Sequence, residues 1–204
     1  MNIQSFDLNK HDVNKIALLI YETDKNLFST FLDKNPDNAV KKLKKLILAG
    51  NNCYGKENLY IHENQNGEIR GIIVAFRGDE IKFINEAKVF KNTMKFLDFL
   101  KLTFVKPVYD KITASSIEYD DFYIGNLVVA PEFRGQGIGT ELLKISFELA
   151  HDKNCKRVLL DVLLENERAK NLYDRIGFKV CSEKSFKWIG KDEGTYGMEY
   201  FLDK

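Results

Sequence analysis

The sequence lacks the features of a disulfide-rich, zinc-binding or membrane-spanning protein. Its three cysteines, Cys53, Cys155 and Cys181, are odd in number and widely spaced, and no CxxC pair occurs. Such a pattern indicates neither a disulfide framework nor a zinc cluster, and Cys155 and Cys181 are expected to be small core residues beside strands. No apolar run reaches the ~18 residues of a membrane span. The three histidines form no metal-binding pattern, so we expect no metal and no membrane association.

Neither sign of charge is in excess. Lys plus Arg number 31 and Asp plus Glu number 30, which leaves a net charge of +1. This balance gives little support to a nucleic-acid-binding domain, and the run KKLKK at 41–45 is interpreted as a solvated helix face. The first 13 residues lack the apolar core of a signal peptide, so we expect a reducing, cytoplasmic location.

Length and hydrophobic patterning predict one domain over residues 1–204. In the N-terminal half, the pattern predicts a strand, two amphipathic helices and a β-hairpin, at 3–6, 11–23, 35–50 and 58–80. The hairpin is expected to turn tightly at Asn66-Gly67. Residues 80–116 look like a helical insertion between sheet strands, with a helix over 90–104.

The C-terminal half alternates strands and helices. The predicted order is strand, helix, strand, helix and two antiparallel strands, at 118–131, 140–153, 156–164, 165–177, 178–188 and 195–202. In the second helix, Ala169, Leu172, Tyr173 and Ile176 share one face. This alternation predicts an α/β or α+β layer fold.

The stretch RGQGIGTELL, residues 134–143, places three glycines at the start of a predicted helix. Glycine disfavours a helix interior, so the cluster indicates either a tight turn or a ligand close to the backbone. A helix N-terminus after a strand can bind phosphate, and Arg134 adds positive charge. No P-loop pattern occurs, and a GxGxxG fingerprint fails at Thr140. The pyrophosphate pattern of acyl-CoA-dependent N-acyltransferases, Arg/Gln-x-x-Gly-x-Gly/Ala, fits through Arg134, Gly137 and Gly139.

Two stretches together resemble the GNAT superfamily of N-acetyltransferases. IGNLVVAPEFRGQGIGTELL resembles its central motif, and NERAKNLYDRIGF resembles its second motif, NxxAxxLYxxxGF. The second match includes every fixed position: Asn166, Ala169, Leu172, Tyr173, Gly177 and Phe178. The resemblance covers residues 117–180. It implies a GNAT acyl-CoA N-acyltransferase fold, with a mixed, mostly antiparallel central sheet flanked by helices, and acetyl-CoA as cosubstrate without a metal.

The resemblance also implies which residues bind acetyl-CoA. The strand before the glycine loop is expected to splay from its neighbour and to pair with pantetheine through Leu127, Val128 and Val129. Asn166 matches a position that commonly touches the cofactor, and Arg134 is expected to support the loop or the phosphates. The pyrophosphate is expected to lie on backbone N–H groups of Gly135, Gln136, Gly137, Ile138, Gly139 and Thr140.

The resemblance assigns the leaving-group chemistry to Tyr173, whose hydroxyl is expected to protonate or hydrogen-bond the thiolate. The alternative is a core tyrosine with a satisfied hydroxyl. A backbone N–H near Val129 is expected to stabilise charge on the carbonyl oxygen. A base or water must take the amine proton, and Glu118, Asp120 and Asp121 are open candidates that could equally be surface charges.

The sequence therefore predicts an N-acetyltransferase that transfers the acetyl group of acetyl-CoA directly to a primary amine of a small molecule or peptide. The alternative is a non-catalytic acyl-CoA-binding sensor or regulatory module, which would need the glycine loop but not Tyr173. A homodimer is consistent with the family. The sequence does not define the acyl acceptor.

Overall fold

The computed structural model describes residues 3–94, 99, 114–188 and 191–202, and its strands form one seven-stranded sheet of order β1-β2-β3-β4-β5-β7-β6. β4 and β5 run parallel, whereas the other neighbouring strands pair antiparallel. The prediction of a mixed, mostly antiparallel sheet is confirmed. The strands are β1 (Ile3–Ser5), β2 (Leu59–Glu63), β3 (Ile69–Arg77), β4 (Asp121–Val129), β5 (Arg157–Leu163), β6 (Lys179–Trp188) and β7 (Lys191–Phe201).

Helices cover both faces of the sheet, and each face has its own apolar cluster. The helices are α1 (Val13–Tyr21), α2 (Lys25–Phe31), α3 (Pro36–Ala49), α4 (Phe83–Thr93), α5 (Ile138–Asp152) and α6 (Glu167–Ile176). One cluster buries the apolar sides of α1 to α3 against the sheet, and the other buries those of α5 and α6. Within the described ranges, no helix is long and apolar enough to cross a membrane.

Side-chain caps fix where the N-terminal helices begin. Asp12 accepts a hydrogen bond from Asn14 N at 2.8 Å, and Asn35 does the same for Asn38 N at 3.1 Å, directly before Pro36. The sequence analysis missed α2, which Asp24 caps. That helix has seven residues and one buried side chain, which is too little for a periodic signal.

The β2–β3 connection differs from the tight Asn66-Gly67 turn that was predicted. β2 ends at Glu63 and β3 begins only at Ile69, so the loop is longer than two residues. Asn64 organises this loop, because its Oδ1 accepts hydrogen bonds from two later backbone N–H groups, those of Asn66 and Glu68. A local side-chain to backbone bond therefore replaces the two-residue turn.

Two further expectations need correction. The insertion helix begins at Phe83, not at residue 90, and ends at Thr93; residues 95–98 and 100–113 lie outside the described residues. Cys155 is buried as expected, but Cys181 is exposed. Cys181 lies on β6, whose position at the sheet edge leaves its side chain uncovered.

A buried ion pair locks the start of β4 to β5. Asp121 is fully buried, and Arg157 contacts its two oxygens at 2.8 and 2.9 Å while also reaching Glu199 on β7 at 2.6 Å. Burial alone would raise the pKa of Asp121, but the guanidinium and the Glu118 N–H outweigh it and hold that pKa below its usual range. Strands β4, β5 and β7 are thus clamped at this end.

Replacing Asp121 with Asn should lower the free energy of unfolding at pH 7 by about 3 kcal/mol, near the lower cost of breaking a buried pair, because Glu199 still contacts Arg157. Since the folded pKa is depressed, the carboxylate stabilises the fold above its unfolded pKa. That contribution is lost as the pH falls through the folded value. Urea unfolding of both proteins at neutral and acidic pH measures this difference.

The matched control is Asp120→Asn, which removes a carboxylate that contacts Lys156 at 3.2 Å nearer the surface. This variant should lose less than about 1 kcal/mol. Equal losses in the two variants, or a loss in Asp121→Asn that persists in acid, would contradict the buried ion pair as the clamp.

Candidate active site

β4 leaves β5 halfway along its length. Parallel pairing runs from Asp121 to Ile124, and among the described strands residues 125–129 have β3 as their neighbour. On β5, residues 161–163 pair with β7. The two parallel strands therefore enclose a gap, which is the splay implied by the resemblance.

An extra residue in β4 marks the point where the strands part. Val74 of β3 pairs with Asn126 and Ala75 pairs with Ile124, which leaves Gly125 without a counterpart. This is a β-bulge, a feature that bends a strand and increases its local twist. Gly125 is exposed, so the bulge lies at the opening of the gap.

The three residues predicted to pair with pantetheine follow this bulge. Leu127, Val128 and Val129 pair with β3 along one edge. Their other edge lies beyond the last residue that pairs with β5, and none of the described strands pairs with it, so this edge suits a ligand backbone. Their binding role stays a prediction.

The glycine loop has an open left-handed backbone. Gly135 and Gly137 have φ of +81° and +83°, and a Cβ at either residue would meet no heavy atom within 4 Å. Gly137 precedes α5 and provides no side-chain cap. Among the described residues, no acceptor meets the N–H groups of residues 136–139, whereas Thr140 N donates to Gly137 O at 2.9 Å. The N–H groups of residues 136–139 therefore form an open cradle, which fits an anion such as a pyrophosphate.

Two arginines lie beside the loop. Arg134 Nε donates to Val129 O at 3.2 Å, so this side chain supports the loop itself. Arg70 Nη2 donates to Gln136 Oε1 at 2.5 Å, and its guanidinium lies 5.0 Å from the centre of the Phe133 ring. Sequence reasoning missed Arg70 because only the β3–β4 pairing brings it here. Both charges favour an anion at the loop.

Gly139 brings the two motifs together. A Cβ at this residue would lie 3.2 Å from Leu172 Cδ2 of α6, which is tighter than an ordinary contact. The first turn of α5 therefore packs closely on α6, and Ile138 beside it is buried. This glycine serves helix packing, whereas Gly135 and Gly137 serve the left-handed turn.

Tyr173 lies on the buried face of α6. It is 8% exposed, and its ring centre lies 5.8 Å from that of Phe178. Burial raises the pKa of Tyr173 to about 12, so the phenol stays protonated at neutral pH. The hydroxyl has no hydrogen-bond partner in the part of the chain that the structure describes, which favours a donor over a satisfied core tyrosine.

Asn166 begins the second motif and caps α6. Its Oδ1 accepts a hydrogen bond from Ala169 N at 3.1 Å, and the residue is exposed. The capping bond explains why asparagine suits this position. A contact between Asn166 and the cofactor stays a prediction.

The three carboxylates left open as bases all lie at or before the paired start of β4. Asp121 is held by Arg157, and Lys156 contacts both Glu118 and Asp120. Each forms an ion pair away from the gap, which favours a structural role over a role as the base.

A carboxylate that the sequence analysis did not single out lies at the gap. Tyr123 Oη donates to Asp161 Oδ2 at 2.9 Å. Nearby, Asn126 Nδ2 donates to Thr23 Oγ1 at 2.8 Å, which ties β4 to the α1–α2 connection. Within the described ranges, no group of three or more His, Cys, Asp or Glu side chains is placed to hold a metal ion.

The profile of the acetyltransferase (GNAT) family matches residues 52–178, more than half of the chain. The chain therefore belongs to the GNAT family of N-acetyltransferases, and the resemblance drawn from its two motifs is confirmed.

Known relatives and solved structures agree with this assignment. Thialysine N-epsilon-acetyltransferase of Bos taurus is 41% identical over 63 residues, which cover 31% of this chain and 37% of that protein. The match thus spans little more than a third of that relative's length.

Solved structures share the fold over nearly the whole chain. An N-acetyltransferase from Staphylococcus aureus Mu50 covers 97% of this chain and 99% of its own, at 20% identity and a TM-score of 0.67. A GNAT family acetyltransferase from Elizabethkingia anophelis with acetyl-CoA bound covers 98% and 97%, at 15% identity and a TM-score of 0.55.

Proposed function

We propose that this GNAT protein transfers the acetyl group of acetyl-CoA directly to a primary amine of a small molecule or peptide. One observation carries the proposal: β4 parts from β5 at Gly125 while it stays paired with β3, and residues 130–135 then lead from it to an open cradle of N–H groups at residues 136–139. A strand edge that is followed along the chain by an anion site suits a ligand that has an amide-bearing arm and a pyrophosphate.

The chain offers a place for each part of acetyl-CoA. Residues 136–139 would hold the pyrophosphate, with Arg70 and Arg134 adding positive charge beside them. The free edge of residues 127–129 would pair with the pantetheine amides. When bound, acetyl-CoA supplies a thioester carbonyl that a neutral amine can attack. The acetyl-CoA bound in the Elizabethkingia anophelis neighbour supports this choice.

The side chains of the site would then stabilise charge and move protons. A backbone N–H near Val129 would stabilise the negative charge that develops on the carbonyl oxygen. The Tyr173 hydroxyl would donate to the leaving sulfur, and its raised pKa of about 12 keeps that proton in place at neutral pH.

An acyl-CoA-binding sensor is the competing function. Such a protein needs the cradle but has no use for a phenol on the buried face of α6 whose hydroxyl bonds to none of the described residues, so Tyr173 favours an enzyme. The bovine relative, named for acetylation of thialysine, supports an amine as acceptor.

Calorimetric titration with acetyl-CoA tests the cradle. The Gly137→Glu variant should show no detectable binding, because a carboxylate would occupy the anion site. Gly67→Glu is the matched control, since Gly67 has φ of +76° and equally open surroundings in the β2–β3 loop. Both variants should lose roughly 1–2 kcal/mol of stability through the left-handed backbone. Equal acetyl-CoA affinity in the two variants would contradict the cradle.

Turnover tests Tyr173. Tyr173→Phe should lower kcat by about 100-fold, because the leaving sulfur loses its proton donor, and should leave the affinity for acetyl-CoA unchanged. Because the pKa of Tyr173 is about 12, deprotonation of this residue should cause no alkaline fall in wild-type kcat below pH 10. Thiol release with thialysine, spermidine and a short peptide as acceptors measures both. Wild-type kcat in the variant would remove Tyr173 from the mechanism, and tight binding without transfer would favour the sensor.

A further inference from the structure

Tyr123 and Asp161 meet where β4 and β5 part. Tyr123 lies in the last paired stretch, opposite Leu159, and Asp161 follows Leu160, the last β5 residue that pairs with β4. The hydroxyl of Tyr123 donates to Asp161 Oδ2 at 2.9 Å, and both residues are half-buried. This hydrogen bond therefore spans the opening of the gap.

Both side chains project on the face of the sheet away from α5 and α6. Side chains alternate along a strand, so residues adjacent in sequence lie on opposite faces. The chain neighbours of the pair belong to the apolar cluster beneath α5 and α6: Phe122, Ile124, Leu160 and Val162. The glycine loop opens α5 on one side of the gap, and Tyr123 and Asp161 line the other side. An acceptor amine that approaches from the face of α1 and α2 would reach them first.

The two oxygens of Asp161 have different partners. Oδ1 accepts hydrogen bonds from the backbone N–H groups of Ala114 at 3.1 Å and Ser115 at 3.0 Å, and from the Thr195 hydroxyl at 3.3 Å. Oδ2 accepts from Tyr123. Oδ1 thus anchors the chain at residues 114–115, whereas Oδ2, the oxygen at the gap, is hydrogen-bonded to the phenol of Tyr123.

The charge of Asp161 has no cationic partner among the described residues. Arg157, four residues earlier on the same face of β5, forms ion pairs with Asp121 and Glu199. The hydrogen-bond donors around Asp161 are all neutral: two backbone N–H groups, a threonine hydroxyl and a phenol. A cationic ligand would supply the missing charge, and an amine substrate carries it in its protonated form.

We propose that Tyr123 and Asp161 form the proton relay for the acceptor amine. Tyr123 is the residue that touches the amine, because its hydroxyl lies at the gap and a phenol oxygen can accept a proton while it donates its own to Asp161. Asp161 acts through Tyr123 as a positioning residue and final proton acceptor. This inference rests on the proposed acetyl transfer, and it selects acceptors with a basic primary amine.

The relay accounts for the protons that move during the acetyl transfer. An amine that binds protonated first loses one proton through Tyr123 and Asp161 to water, which leaves the amine neutral and Asp161 ionised. As the C–N bond forms and the C–S bond breaks, the nitrogen gives a second proton to Tyr123 Oη, and Tyr123 gives its own proton to Asp161 Oδ2. The departing sulfur takes a proton from Tyr173. Exchange with water then returns a proton to Tyr173 and removes one from Asp161.

The competing interpretation is that Asp161 only anchors the chain at 114–115. The two single variants separate these roles, since Tyr123→Phe removes the relay hydroxyl and leaves all Oδ1 contacts in place. Asp161→Asn keeps an oxygen for the two backbone N–H groups but removes the charge. The matched control is Ser182→Ala, which removes the bond from Ser182 Oγ to Ala114 O at 3.0 Å and so loosens the same anchor without touching Asp161.

The experiment measures kcat, KM for acetyl-CoA and thermal unfolding for these variants and for Tyr123→Phe combined with Asp161→Asn. Thialysine, spermidine and a short peptide serve as acceptor probes. Each single variant should lower kcat by about 100-fold or more while KM for acetyl-CoA changes little. The double variant should be no slower than the slower single one, because residues that act as a unit are not additive. Ser182→Ala should unfold at a lower temperature and keep its kcat.

Wild-type kcat in Tyr123→Phe would overturn the relay, and so would a double variant whose loss equals the product of the two single losses. Loss of kcat in Ser182→Ala comparable to that in Asp161→Asn would also overturn it in favour of the anchor. A wild-type protein that binds acetyl-CoA but acetylates no probe would overturn the proposed function and the relay together. That result differs from failure of the relay alone, in which the wild type is active.

Discussion

A parallel strand pair that is interrupted halfway is the constraint on which the rest of this structure depends. Paired strands satisfy their backbone hydrogen-bonding groups, and a strand that departs from its neighbour leaves one edge without partners. The extra residue Gly125 makes β4 depart at a fixed position. The free edge that follows, the glycine loop and the Tyr123–Asp161 pair all take their places from this departure.

The gap persists because each of its ends is fixed by a different interaction. At the closed end, the buried Asp121–Arg157 pair holds β4 against β5. At the open end, the close approach of Gly139 to Leu172 holds the first turn of α5 on α6, so the cradle keeps its position relative to the strands. Electrostatics and packing thus hold open a space that backbone pairing would otherwise close, which is how a folded sheet can receive a ligand as an added strand.

Local patterns in the sequence predicted much of this arrangement, but they could not predict which residues distant in the chain come into contact. The sequence indicated Gly137 and Gly139 because a glycine cluster at the start of a helix points to a tight turn or a close ligand, and it indicated Tyr173 because the helix around it carries a complete motif; their roles in the site stay predictions. Asp161 gave no such signal, since its partner Tyr123 is distant in the chain and meets it only through the register of β4 and β5. The sequence instead indicated the carboxylates Glu118, Asp120 and Asp121, which the fold uses in ion pairs. The tight turn predicted at Asn66 failed for a local reason, the hydrogen bonds of Asn64.

Amide hydrogen exchange along β4, with and without acetyl-CoA, tests the central claim most directly. If the cofactor pairs with the free edge, alternate amides of residues 125–129 and the amides of residues 136–139 should exchange more slowly in its presence. Amides of residues 122–124, which already lie between β3 and β5, should not change. Protection confined to 122–124, or bound acetyl-CoA that leaves residues 125–129 unchanged, would contradict a cofactor site in the gap between β4 and β5.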